Sequence, residues 1–245
     1  MIKLFLYISQ KPQPVMKSCY NVSVLLWRPL YAVGVHYSSS KLKTEKFVEE
    51  ILAGGGQAIS ICGDVADEKE MNMAFNQMEV SFGGIDVVVN TAGIMLLSPI
   101  AELDLDDLDK MHRTNIRGTF VISQLAAKRV RSGGSIINFS TSVTRSQFPN
   151  YGAYVASKAA VESMSMILAR ELRGKNIIVN AVAPGPTATP LFLNGKDEKQ
   201  IQSLANAVPL ERLGEPNDIS EVVSFLAGPA RWINGQVIFV NGGLA

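Results

Sequence analysis

Histidine and cysteine are scarce in this chain, with two of each among 245 residues. Cys19 and Cys62 stand far apart and show no ligand spacing, so neither a metal site nor a disulfide framework is expected, and a reducing compartment suits them. An excess of charge is missing too. The formal net charge of +1 offers no electrostatic handle for nucleic acid or an acidic membrane. No apolar stretch approaches a membrane span. The run from Leu4 to Ile8 is shorter than a signal-peptide core, and no small-residue cleavage site follows it. These absences together point to a cytoplasmic protein whose partners are small molecules.

The most telling absence is local: no glycine occurs before Gly34. In doubly wound folds the first strand-to-helix turn is glycine-rich, because backbone N–H groups there must approach a pyrophosphate closely. Here residues 2–8 suit a first strand, and Val15, Cys19, Val22 and Leu26 recur at helical intervals. Between them stands SQKPQP, in which Pro12 and Pro14 lack N–H donors and Lys11 offers the only charge.

What the chain does have is a packing composition, 47% hydrophobic and 18% charged residues, over a length that fits one domain spanning 1–245. From residue 31 onward, short apolar strands alternate with helices. Strands are expected at 31–37, 57–62, 85–90, 135–139, 177–182 and 236–240, and helices at 38–52, 67–82, 104–131, 151–173 and 217–226. Nearly continuous apolar strands separated by helices read as a parallel sheet covered on both faces. The fold class is therefore α/β: a doubly wound, Rossmann-type three-layer sandwich.

Chemistry concentrates in NYGAYVASKAA, residues 150–160, where Tyr154 and Lys158 stand four apart at the start of a helical pattern. Residues at i and i+4 share one helix face, so a phenol and an ammonium are placed side by side. A nearby cation favours phenolate, which predicts a lowered pKa for Tyr154 and proton exchange with a carbonyl–alcohol pair. Alone, the pair is a weak signal. It comes with NTAG at 90–93, NIRGT at 115–119, INFSTS at 137–142 and APGPTATPL at 183–191.

In that order these motifs resemble the short-chain dehydrogenase/reductase family, from about Val33 to the C-terminus. Within it the chain looks most like the NADPH-dependent carbonyl and aldehyde reductases, near the 3-oxoacyl carrier-protein reductases. Residues 1–32 depart from the pattern and stand where the usual first strand, glycine loop and first helix belong. The abruptness of the change suggests an atypical N-terminal stretch before an intact enzyme body.

The resemblance implies roles for particular residues. Tyr154 is the proton donor, Lys158 its partner and a hold on the nicotinamide ribose, and Asn115 the holder of a water linking Lys158 to solvent. The hydroxyl that orients the carbonyl falls on Thr141 in ungapped register, or on Ser142 if the following loop shifts by one. At the end of the second strand Tyr37, Ser38 and Ser39 present no carboxylate to repel a 2′-phosphate, which favours NADP(H). Asp64 and Val65 are implied at the adenine, and Asn90, Ala92 and Gly93 at the ribose. Pro184, Gly185, Thr187 and Thr189 are implied at the carboxamide. Residues 191–207 are expected to form a substrate loop, with Leu191, Phe192 and Leu193 apolar and residues 194–196 supplying flexibility and charge. A homodimer or homotetramer is implied as well, built on the helices near 104–131 and 151–173 and on the C-terminal strand. The expected function is hydride transfer from NADPH to an aldehyde or ketone. The alternative is a catalytically impaired or noncatalytic member that binds cofactor weakly for want of the glycine loop.

Overall fold

In the computed structural model, residues 2–7, 31–193 and 195–245 are described. The expected helix over 15–26, the turn at 9–14 with Lys11, Cys19, and Asn194 lie outside the described residues. Among the described residues, seven parallel strands form one sheet in the order β3-β2-β1-β4-β5-β6-β7. They are β1 (Ile2–Tyr7), β2 (Tyr31–Tyr37), β3 (Gln57–Cys62), β4 (Ile85–Asn90), β5 (Val130–Phe139), β6 (Ile178–Pro184) and β7 (Val237–Val240). β1 pairs with β2 on one side and β4 on the other, so the strand order reverses between β1 and β4. In open α/β sheets, ligands bind outside the carboxyl ends of the strands near such a reversal.

The helices are α1 (Lys41–Ala53), α2 (Glu68–Phe82), α3 (Leu105–Met111), α4 (Gly118–Arg129), α5 (Val143–Ser146), α6 (Gly152–Glu171), α7 (Pro190–Leu193), α8 (Glu198–Ala207) and α9 (Pro216–Ala227). Two apolar clusters flank the sheet. Met71, Phe75 and Met78 of α2, Val121 and Ile122 of α4 and Leu168 of α6 pack on one face. Phe47 and Ile51 of α1, with Ile219, Val223 and Leu226 of α9, cover the other. Strands buried on both faces need apolar residues at successive positions, and β4 (IDVVVN) has four buried residues in a row.

Several boundaries follow local chemistry. Asp67 caps α2 by accepting from the Lys69 and Glu70 N–H groups, and Gly83 closes it in the left-handed conformation at φ 75°. The single helix expected over 104–131 is interrupted and shorter. A π-helical turn at His112–Arg117 joins α3 to α4. α4 ends at Arg129, because Val130 already pairs with Ile85 of β4. Part of the expected substrate loop is helix α8, held by a capping box in which Asp197 and Gln200 satisfy each other's backbone N–H.

Candidate active site

The carboxyl ends of β4, β5 and β6 open into a cleft of about 340 Å³. Its lining brings together Gly93, Thr141, Ser142, Tyr154, Lys158, Pro184, Gly185, Thr187 and Thr189, all singled out in the sequence. α6 supplies the phenol and the ammonium from one face, as the four-residue spacing requires. β5 and β6 run on in register past their ends: Ser140 N–H donates to the Val182 carbonyl at 2.7 Å and Ser142 N–H to Pro184 at 2.9 Å. That pairing fixes residues 140–142 against the cleft.

Lys158 is 3% exposed, and its ammonium donates to the Phe139 carbonyl at 2.8 Å. It lies 6.0 Å from the centre of the Tyr154 ring. The expected lowering of the Tyr154 pKa by this cation is reversed in the structure. Burial pushes the phenol up to about 12, Tyr151 adds to the rise, and a hydrogen bond with the Thr141 side chain pulls the other way. The helical spacing brings the ammonium near the ring, yet the cost of burying a phenolate outweighs it.

The three hydroxyls of the 140–142 stretch separate. Ser140 donates to Glu162 Oε1 at 2.5 Å, on the α6 side. Thr141 reaches Tyr154. Ser142 Oγ is buried with no hydrogen-bond partner among the described residues, and Ser142 also lines the cleft.

Asn115 sits in the π turn, fully buried, and its side chain clamps the backbone of one residue. Ile94 N–H donates to Asn115 Oδ1 at 2.8 Å, and Asn115 Nδ2 donates to the Ile94 carbonyl at 2.9 Å and to Ser157 Oγ at 2.9 Å. A Cβ on Gly93 would stand 3.0 Å from Lys158 Nζ and 3.3 Å from Asn115 Oδ1. Glycine there keeps the β4 turn close to the lysine.

Tyr37, Ser38, Ser39, Asp64, Val65, Asn90 and Ala92 do not line the cleft. Asn90 faces inward: its Nδ2 donates to Thr119 Oγ1 at 3.1 Å and Asn138 Oδ1 at 3.3 Å, while Oδ1 accepts from Ala92 N–H at 3.2 Å. Asp64, after β3, pairs with Arg113 of the π turn at 2.6 Å and holds Ala66 N–H at 2.9 Å. Val65 is fully buried. Tyr37, Ser38 and Ser39 form the end of β2, with no acidic residue between 36 and 41. Thr187 donates to the Gly185 carbonyl at 2.9 Å, and Thr189 Oγ1 accepts from Phe192 N–H at 3.2 Å, capping α7.

Leu204 and Phe192 line the cleft from the expected substrate stretch, but sequence reading missed Met95, Phe148, Tyr151 and Leu244 in the same wall. Tyr151 was within reach of pattern, since i−3 from Tyr154 falls on the same face. Leu244 gave no local signal; it arrives through the chain after β7.

These residues fit a dinucleotide. The end of β2 carries no acidic residue at 37–40 to repel a 2′-phosphate, and glycine at 93 leaves room in the turn beside Lys158. The pyrophosphate turn lies outside the described residues. A parallel sheet of this order, reversing between β1 and β4 with a cleft at its carboxyl edge, is the doubly wound, dinucleotide-binding class of fold. A family profile described as enoyl-(acyl carrier protein) reductase matches residues 31–245. A short-chain type dehydrogenase/reductase of Picea abies is 41% identical over 222 residues, covering 86% of this chain and 82% of that protein. An NADPH-dependent aldehyde reductase-like protein, chloroplastic, of Arabidopsis thaliana is 42% identical over 201 residues, covering 80% and 74%. The crystal structure of a blue fluorescent protein from a metagenomic library, in complex with NADPH, superposes with a TM-score of 0.88 at 32% identity, covering 100% of this chain and 98% of that one. The chain belongs to the short-chain dehydrogenase/reductase family.

Proposed function

We propose that this protein reduces an aldehyde or ketone with NADPH, Tyr154 giving the proton to the carbonyl oxygen. A 3-oxoacyl thioester falls within the same chemistry. One observation carries the reading: Tyr154, Thr141 and Lys158 meet in a single cleft at the carboxyl edge of the sheet. NADPH, whose use fits the Arabidopsis relative's name and the NADPH-bound neighbour, supplies the hydride. Tyr37, Ser38 and Ser39 would hold its 2′-phosphate, Asp64 and Val65 the adenine, and Asn90, Ala92 and Gly93 the ribose side. Lys158 and Tyr154 would hold the nicotinamide ribose, and Pro184, Gly185, Thr187 and Thr189 the carboxamide.

A phenol pushed up to about 12 is protonated at neutral pH, the form that reduction requires of a general acid. As charge builds on the carbonyl oxygen, the Thr141 hydroxyl donates to it and Tyr154 releases its proton. The Lys158 ammonium then faces a phenolate, and their attraction in a partly desolvated cleft lowers the cost of that release. The cytosol remains the proposed compartment and a homodimer or homotetramer the proposed assembly.

Loss of NADPH absorbance with a panel of aldehydes and ketones tests the reading. Activity in the wild type and its absence in Tyr154→Phe support it; equal rates in both overturn it. The lack of any glycine before Gly34 favours a second reading, a protein impaired by weak cofactor binding. Grafting a glycine-rich turn over residues 9–14 decides between them. A sharp gain in NADPH affinity by fluorescence titration supports the second, and unchanged tight binding the first.

A further inference from the structure

Full charges are scarce in the cleft. Among the described residues, Lys158 and Lys196 are the charged side chains lining it, and no carboxylate does. Lys158 belongs to the proton-transfer group. Lys196 does not, and its position is unusual for a lysine.

A long ammonium-bearing side chain ordinarily reaches for water. Lys196 instead folds back along α7: Nζ donates to the Phe192 carbonyl at 2.6 Å and sits 4.5 Å from the centre of the Phe192 ring. It is half-buried, and burial pulls its pKa below the usual lysine range. None of the ion pairs among the described residues includes it. An ammonium has three donors, and one is occupied by Phe192, so two remain. Capping a four-residue helix accounts for one hydrogen bond. It does not account for placing a cation on an apolar cleft wall.

The rest of the wall says what accompanies an anion there. Phe148 and Tyr151 meet edge to face at 6.1 Å and 63°, and Tyr151 and Tyr154 at 6.5 Å and 64°. These rings lead to the reactive phenol, and Phe192 adds another under the ammonium. Aromatic pairs favour such offset and edge arrangements, so a flat ring entering the cleft finds ready partners.

We propose that Lys196 anchors an anionic group on the substrate, and that the substrate is an aromatic carbonyl compound bearing a carboxylate or an ionised phenol. The ring packs among Phe148, Tyr151 and Phe192 while its carbonyl faces Tyr154 and Thr141. This rests on the reductase reading for its chemistry, but the anion site itself is independent of turnover.

The test pairs 4-carboxybenzaldehyde with the neutral 4-methylbenzaldehyde in the full chain. Both NADPH oxidation and calorimetric binding are followed, in wild type, Lys196→Met and Lys196→Arg. The expected wild-type preference for the carboxylate in kcat/KM is about tenfold or more, the scale of one hydrogen bond to a charged group. Lys196→Met should lose that preference and Lys196→Arg should keep most of it. An equal preference in wild type and Lys196→Met, or none in wild type, overturns the proposal. If neither aldehyde is reduced, the reductase reading fails on its own and calorimetry decides the anchor. Weaker carboxylate binding in Lys196→Met alone then supports it, and equal binding overturns it.

Discussion

The side-chain hydroxyls of Thr141 and Tyr154 share a hydrogen bond within the cleft, and it opposes the burial that drives the phenol up to about 12. A hydroxyl has one proton to donate, so during reduction Thr141 turns it from the phenol oxygen to the carbonyl oxygen. Thr141→Ala should therefore lower kcat by roughly a hundredfold, the scale of one lost donor to a developing oxyanion. Thr141→Ser should restore most of the rate, and Ser142→Ala should cost much less. A larger loss from Ser142→Ala in steady-state kinetics would move the orienting role to Ser142.

Glu162 grips the loop that carries Thr141 from both sides, accepting from Ser140 Oγ at 2.5 Å and Thr144 Oγ1 at 2.9 Å. It is a positioning residue. Glu162→Ala should reduce kcat about tenfold with KM little changed, since a misplaced Thr141 weakens the transition state more than ground-state binding. Glu162→Gln keeps one acceptor oxygen and should recover most of the rate. A change confined to KM would contradict this.

Asn115 satisfies both backbone groups of Ile94. Removing it strands a donor and an acceptor at the half-buried cleft wall, each costing about 1–3 kcal/mol. Asn115→Ala should lower unfolding stability by about 2–4 kcal/mol in urea titrations. A midpoint within experimental error of wild type would mean that water replaces the amide at no cost.

His36, fully buried in β2, has its pKa lowered from 6.5 to about 3 by burial, with Asp64 offsetting part of the drop. The unfolded chain takes up this proton near 6.5 and the folded chain only near 3. Between those values the unfolded state holds more protons, so stability is complete above 6.5 and falls as pH falls, by as much as about 5 kcal/mol. His36→Phe should flatten that acid limb in thermal melts recorded across the window. An unchanged slope would assign the acid sensitivity elsewhere.

Phe120 of α4 and Met166 and Ile167 of α6 are exposed on the two long helices expected at an interface, with Phe120 55% accessible. Light scattering after size exclusion should give a dimer or tetramer for the wild type. Phe120→Asp combined with Ile167→Asp should give a smaller species. A wild-type monomer would remove the assembly from the account.

Much of this architecture was readable from pattern. β4 falls where alternation of strand and helix put it, because a strand buried on both faces leaves a continuous apolar run, and the edge strand β3 falls where the same alternation put it. The Tyr154–Lys158 face followed from helical spacing, and the capping box at Asp197 and Gln200 was open to the same kind of reading. What did not follow depended on distant partners. The π turn needs the Ile94 backbone opposite it, and the phenol's direction of shift depends on how completely the neighbours enclose it. Leu244 enters the wall from nearly a hundred residues beyond Tyr154, which no local window links to it.

The wide turn at His112–Arg117 holds one residue more than an α-helical turn would, and each residue in a helix advances it by roughly 100°. In the wide turn each residue advances less, so the extra one is absorbed locally and α4 keeps the phase it would have on an uninterrupted α-helix. The surplus residue goes instead into the bulge that carries Asn115 against the Ile94 backbone. Deleting one residue there should leave the packing of α4 in place while withdrawing the amide from its two backbone partners.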